Sequence, residues 1–296
     1  MDVRQLRYFL AIVDEGGVHR AADALLVAQP SISHALRGLE TELRTPLFHR
    51  AGRRLVLTAA GEALVPAARE VLHGMDLARS SVDAVHGLRG GRLVLSCMPS
   101  QAVSPLAQLV GQFLTLYPGV QVRVRSADTT DDVASALRTG NAELGLIARP
   151  PTLLPPTDLT LHPLQCHRYI CVARNGAALH PGNGPVRPKD LSDARLIVGQ
   201  TGTGMRRAAE EVLAAAERSV AVVEIEHREA LLPLVLAGVG IAVVAESWRD
   251  LATSAGLTVR DLDIKESLSI DVVQRPGLLS PAARAFLSVA LENSKD

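Results

Sequence analysis

One face of the stretch from Ala28 to Leu43 gathers the side chains best suited to chemistry. At the helical repeat Pro30, Ser33, His34, Arg37 and Thr41 fall on one side, and Ile32, Ala35, Leu36, Leu39 and Leu43 on the other. Short hydroxyls, an imidazole and one guanidinium suit hydrogen bonding to base-pair edges on the floor of a DNA major groove. A second set, His49, Arg50, Arg53 and Arg54, sits on the tip between two short apolar segments, LF and LVL, where arginines can reach phosphates or a minor groove. Farther along, polar residues collect where predicted strands end: Ser100 and Gln101, Thr129 and Thr130, Arg149, Gln200, Thr201, Gly202 and Thr203, and His227. Hydroxyls, helix N-termini and one arginine at the carboxyl ends of strands fit a small anion, most simply a carboxylate. Taken singly, each of these residues also fits a solvated helix face or a loop that satisfies its own backbone. Their order along the chain decides between the readings.

The elements that must position them read as follows. Asp2 and Gln5 make a cap for an amphipathic helix carrying Leu6, Phe9, Leu10 and Val13, which ends at Gly16 and Gly17. A second helix, Val18 to about Leu26, offers small Ala21 and Ala22 for close packing, and a Val27-Ala28 turn leads into the third helix. Pro30 falls in that helix's first turn, where its missing N–H costs nothing. Two helices joined by a tight turn, then an arginine-bearing hairpin, describe a winged helix-turn-helix. From Thr58, a good N-cap, the residues Leu64, Ala68, Val71, Met75, Ala78, Val82 and Val85 alternate in spacings of four and three. Such a heptad stripe is buried most simply by a partner helix. LRGGRL at 88–93 reads as a hinge. Strands and helices then alternate, which predicts an α/β region with largely parallel sheets and a second set beginning near His162.

The run HRAADALLVAQPSISHALRGLETELRTPLFHRAGRRLVLTAAGEAL resembles the N-terminal signature of LysR-type transcriptional regulators. The resemblance implies that Gln29, Pro30, Ser31, Ser33, His34 and Arg37 face the major groove, with Arg50, Arg53 and Arg54 in the wing. It implies that the long helix dimerises, giving a homodimer or homotetramer on a two-half-site operator, and that SLSIDVVQR and SPAARAFLSVAL return to the first lobe, as in periplasmic solute-binding proteins. Two positions depart from the pattern: Ala28 stands where Ser or Thr is common, and His34 where Arg is common. The expected fold is mixed α/β: an N-terminal all-α winged helix-turn-helix (1–58), a linker helix (59–88) and a two-lobed α/β effector domain (89–296). Lobe I covers about 92–163 plus 267–296, and lobe II about 164–266. The expected partners are a double-stranded DNA operator and a small-molecule co-inducer, with no other cofactor and no membrane.

Composition narrows the classes further. A formal net charge of +0 argues against a general polyanion binder, and 3% aromatic residues argue against a base-stacking surface for single strands. The first residues carry acids within their apolar part and do not read as a signal peptide, and the longest apolar run, Ala230 to Ala245, is broken by Pro233, Gly238 and Gly240. The expected location is the cytoplasm. Cys97, Cys166 and Cys171 make no disulfide framework, and Cys171 reads as a packed strand residue rather than a metal or redox group with Cys166, His162 and His167. The stretch from Gly199 to Glu226 holds no cysteine, unlike the peroxide-sensing members of the resembled family. GQTGTGMRR places Met205 and Arg206 where a Walker loop needs Lys and Ser or Thr, so nucleotide hydrolysis lacks its parts. The leading expectation is a DNA-binding regulator controlled by a small anionic metabolite, not an enzyme. Its alternative is a metabolite-sensing or solute-binding protein whose N-terminal domain mediates protein association.

Overall fold

The computed structural model describes residues 1–52, 54–83, 90–154, 156–174, 179 and 184–294. Arg53, Val85 and the first part of the expected hinge, residues 88 and 89, therefore lie outside the described residues.

The N-terminal helices form where their caps predict. Helix α1 (Val3–Glu15) is started by a reciprocal cap: Gln5 N donates to Asp2 Oδ1 at 2.8 Å and Asp2 N donates to Gln5 Oε1 at 2.7 Å. It stops at Gly16, which takes the left-handed conformation. Helices α2 (Val18–Leu25) and α3 (Gln29–Leu43) follow, and strands β1 (Phe48–Ala51) and β2 (Arg54–Leu57) pair antiparallel as the wing. Phe9, Leu10 and Ile12 of α1, Ala21 and Ala22 of α2, and Ile32, Leu36 and Leu39 of α3 close one core, with Phe9 against Phe48 at 5.5 Å between ring centroids. Leu43, assigned by periodicity to the buried stripe, is 37% exposed. The helix ends just beyond it, where Arg44 turns left-handed, so the stripe runs out before its last member reaches the core.

Helix α4 (Ala59–Asp83) is about 37 Å long at 1.5 Å per residue. Thr58 caps it, with Gly61 N donating to Thr58 Oγ1 at 3.1 Å. A Cβ on Gly61 would lie 2.2 Å from the Leu47 carbonyl oxygen, so the glycine allows α4 to seat against the wing's base. Arg69 Nη2 lies 2.5 Å from Asp14 Oδ1 and ties α4 to α1. Leu64 and Ala68 pack into the N-terminal core, but farther along the stripe Val71 is 44% and Val82 68% exposed.

Beyond α4 come strand β3 (Gly91–Cys97), a short turn of helix α5 (Pro99–Gln101), helix α6 (Ala107–Leu116), strand β4 (Val120–Ser126), helix α7 (Thr130–Arg138) and strands β5 (Leu144–Arg149), β6 (Thr160–His167) and β7 (Tyr169–Ala173). Then follow β8 (Arg195–Gly199), α8 (Gly204–Ala215), β9 (Val220–Ile225), α9 (Leu231–Leu236), β10 (Ile241–Ala245), α10 (Arg249–Ser254), β11 (Thr258–Asp261), β12 (Leu268–Gln274) and α11 (Pro281–Glu292). Among the described residues these strands make two five-stranded sheets, ordered β4-β3-β5-β12-β6 and β11-β7-β10-β8-β9. The chain thus crosses from the first sheet to the second after β6 and returns with β12, while α11 packs beside α6 through Phe113 and Phe286, 5.4 Å apart.

Three details differ from the sequence reading. The sheets are mixed rather than largely parallel: β12 runs antiparallel to both β5 and β6, and β7 antiparallel to both β10 and β11. Antiparallel pairing needs no crossover helix, so strands arriving from the other lobe can join either sheet in the reverse direction. Strand β6 pairs with β12 as far as His167, so the first sheet continues past residue 163. The edge strand β11 was not anticipated. No helix among the described residues is long and apolar enough to cross a membrane.

Candidate functional site

On α3, Gln29, Pro30, Ser31, His34 and Arg37 are exposed and Ser33 is half-buried, so the polar face is presented as one surface. Thr41 spends its hydroxyl on the Arg37 carbonyl at 2.7 Å and is not a free donor. Ala28 supplies no side-chain cap, which leaves the first backbone donors of α3 without a side-chain acceptor. His49 and Arg50 are exposed on β1, and Arg54 lies on β2 across the wing. Sequence reasoning missed the contribution of α1. A cavity of about 340 Å³ between α1 and α3 is lined by Arg4, Gln5 and Tyr8 together with Ser31 and His34. Arg4 and Tyr8, spaced i,i+4, were the available signal.

The strand-end set is divided by the structure into spent and unspent groups. Thr129 is a helix cap: its hydroxyl accepts from Asp132 N at 3.1 Å and donates to Asp132 Oδ2 at 2.7 Å. Thr203 caps α8 in the same way, accepting from Arg206 N at 3.3 Å and donating to the Gln200 carbonyl at 2.8 Å. Thr130 is half-buried, with its hydroxyl 4.0 Å from Met98 Sδ. Gln200, Thr201 and Gly202 form an exposed loop, with Gly202 at φ +86°. Gly202 thus takes the left-handed turn ahead of α8 without strain.

Arg149, read from sequence as the cation for an incoming anion, is already committed. Its Nε lies 3.0 Å from Oδ2 of the fully buried Asp271, and its Nη1 donates to the Leu153 carbonyl at 2.8 Å. The Nε approach is too oblique for a hydrogen bond, so the attraction is one of charge. His227 is 86% exposed and stands 3.4 Å from Glu229. The next residue, Arg228, is the one turned inward. It is buried, and its Nη1 donates to Ser100 Oγ at 3.1 Å, joining the segment after β9 to the segment after β3. A strand end locates such a turn only to within a residue, and the short helical turn Arg228–Ala230 moves the inward side chain one place on. Gln101 is buried with its Oε1 unpartnered, and the turn Glu246–Trp248 that lies against α5 carries two more unpartnered atoms, Ser247 Oγ and Trp248 Nε1.

Burial pushes the Cys97 thiol up to about 11 and the Cys171 thiol up to about 12, which keeps both protonated and unreactive near neutrality, while Cys166 is exposed on β6. His167 is desolvated, which lowers its imidazole from the ordinary 6.5, with Glu246 pulling weakly the other way. The unfolded chain therefore takes up this proton first as pH falls. Stability is intact above 6.5 and declines as pH drops from there toward the lower native value. Thermal melts between about pH 7.5 and about pH 5 are expected to show this decline, and His167→Gln to flatten it. An unchanged slope in the variant would assign the decline to other groups.

Residues 86–295 match the LysR substrate binding domain, and residues 3–62 match the bacterial regulatory helix-turn-helix protein of the lysR family. The HTH-type transcriptional regulator IlvR of Caulobacter vibrioides is 28% identical over 296 residues, covering 99% of this chain and 98% of the relative. The HTH-type transcriptional activator CmpR of Synechocystis sp. is 26% identical over 250 residues, covering 82% of this chain and 78% of the relative. Among solved structures, full-length OxyR from Pseudomonas aeruginosa superposes with a TM-score of 0.73 at 23% identity, covering 100% of this chain and 95% of that one. Full-length CbnR complexed with its target DNA gives 0.66 at 21% identity, covering 99% of this chain and 100% of that one. At these identities the two structures speak to the fold.

Proposed function

The chain belongs to the LysR family of DNA-binding transcriptional regulators with an effector-binding domain, and from that premise we propose which of its parts read DNA and which hold the effector. Helix α3 enters the major groove with Gln29, Pro30, Ser31, Ser33, His34 and Arg37, and the wing places Arg50, Arg53 and Arg54 on the flanking backbone or minor groove. The observation that carries this reading is the continuous exposed polar face of α3, from Gln29 to Arg37, beside an exposed basic hairpin.

The same reading divides the chain into a DNA-binding domain (1–58), a linker (59–88) and an effector domain (89–296), with the first lobe extended through β6 to His167. The uncovered part of the α4 stripe, Val71 and Val82, is the surface that a second copy of α4 would bury. A dimer carries two copies of α3 and so reads two half-sites. A small anionic effector binds between the two sheets, among the strand-end loops.

Gel retardation with the DNA upstream of the chain's own gene tests the DNA assignment. Wild type is expected to retard that fragment and to be released by an excess of the same fragment but not of unrelated duplex. Failure to retard it, or equal release by both competitors, would remove sequence-specific binding at that site.

A further inference from the structure

The effector assignment leaves open which group takes the anion's charge, and the placement of the arginines answers it. Four guanidinium groups lie near the strand-end loops: Arg149, Arg206, Arg207 and Arg228. Arg149 is held by Asp271, and Arg206 by Glu210 and Glu224, each at 2.7 Å. Arg207 reaches the Gly202 carbonyl at 3.4 Å from a helix on the far side of that loop. Arg228 differs from Arg149 and Arg206. It is only 8% exposed, yet its hydrogen-bond partner is a neutral hydroxyl, Ser100 Oγ, and it makes no ion pair with a described carboxylate.

A buried charge without a counter-charge is an expensive arrangement for a fold to keep. Burial pulls the Arg228 guanidinium below its usual value, and the exposed Asp128 opposes this only through space. Beside Ser100 the chain leaves a second polar group unspent, the Oε1 of Gln101, which is 1% exposed and has no partner. Ser100 and Gln101 belong to the first sheet's loops and Arg228 to the second's, so a ligand held by all three would be gripped from both sides.

We propose that Arg228 is the anion anchor of the effector site, taking a small carboxylate with Ser100 Oγ as the second donor and replacing the bond that now joins those two residues. This rests on the reading that an anionic effector binds between the sheets. The carboxylate supplies the missing counter-charge and accepts from the guanidinium and from the hydroxyl, which is free to turn its proton toward it. Arg149 in contrast serves the architecture.

The test uses full-length protein and calorimetry with sodium acetate, succinate, benzoate and phosphate as probes. At least one carboxylate is expected to bind wild type, to bind Arg228→Gln about ten- to a hundredfold more weakly, and to bind Ser100→Ala more weakly as well. Ligand-free Arg228→Met, which removes the uncompensated charge, is expected to melt at or above the wild-type temperature. Binding of a carboxylate to wild type with unchanged affinity in Arg228→Gln overturns the anchor while leaving the anionic-effector reading intact. No binding of any of the four probes to wild type overturns both. Phosphate bound in preference to every carboxylate overturns the ligand class, and a lower melting temperature for Arg228→Met with undiminished carboxylate affinity assigns the residue a structural role instead.

Discussion

Replacing Asp271 by alanine is expected to destabilise the effector domain by about 3–5 kcal/mol, the usual consequence of removing one partner from a buried ion pair. Asp271 is fully buried in β12, between Ile147 of β5 and Pro163 of β6 in the strand register. Its Oδ2 faces Arg149 Nε at 3.0 Å, and its Oδ1 accepts from Ser269 Oγ at 3.2 Å. Alanine leaves the Arg149 guanidinium, only 14% exposed, with the Leu153 carbonyl alone. The loss comes from the stranded charge rather than from the missing attraction. Two charges brought out of water regain little more than their desolvation, so deleting both is much milder than deleting one. Arg149→Met combined with Asp271→Ala is therefore expected to recover most of the stability, to within about 2 kcal/mol of wild type. Urea unfolding of the three variants beside wild type measures this directly. Equal losses for the single and double variants would show that Asp271 acts through packing, not through its charge partner.

The pair also marks where the sequence stopped being readable. Helices α1 to α4 were legible because their signals are local: Asp2 with Gln5 at one end of α1, Gly16 at the other, Pro30 in the first turn of α3, and Thr58 before α4. Arg149 was legible as a residue at a strand end, but its neutralisation by Asp271 depends on β12 entering between β5 and β6, a pairing between distant segments with no local mark. The same non-local pairing hid the mixed character of both sheets and the edge strand β11. His227 and Arg228 show the other kind of limit. Their types and neighbourhood were visible, yet which of them turns inward is set by the short helical turn that follows β9. Thr129 and Thr203 were correctly placed at strand ends, and it is their bonds to Asp132, Arg206 and Gln200 that reveal them as caps.

The largest effect on DNA binding is expected from Arg37→Ala combined with Arg50→Ala. Arg37 is exposed on the outward face of α3 and makes no ion pair with a described residue, so its guanidinium is available to a base edge or a phosphate. Arg50 is exposed on β1, on the strand leading to the wing's tip. Truncating a base-contacting arginine costs about 1–3 kcal/mol per contact, and a dimer on two half-sites loses the contact twice. Arg37→Ala alone therefore predicts a loss of about 2–6 kcal/mol, or roughly 30-fold to more than 10⁴-fold in operator affinity. Arg50, read as a phosphate contact, weakens all sequences alike. Its removal should lower the slope of log affinity against log salt by about two for the dimer, one per wing. The two residues thus predict different signatures. Arg37→Ala narrows the gap between the operator and unrelated duplex, whereas Arg50→Ala leaves that gap and reduces the salt dependence. A salt titration of each single variant on both DNAs separates them. If Arg37→Ala weakens both DNAs equally, Arg37 is a backbone contact, and base reading falls to Gln29, Ser33 and His34. Unchanged operator affinity in the double variant would remove this face of α3 and the wing from the DNA interface.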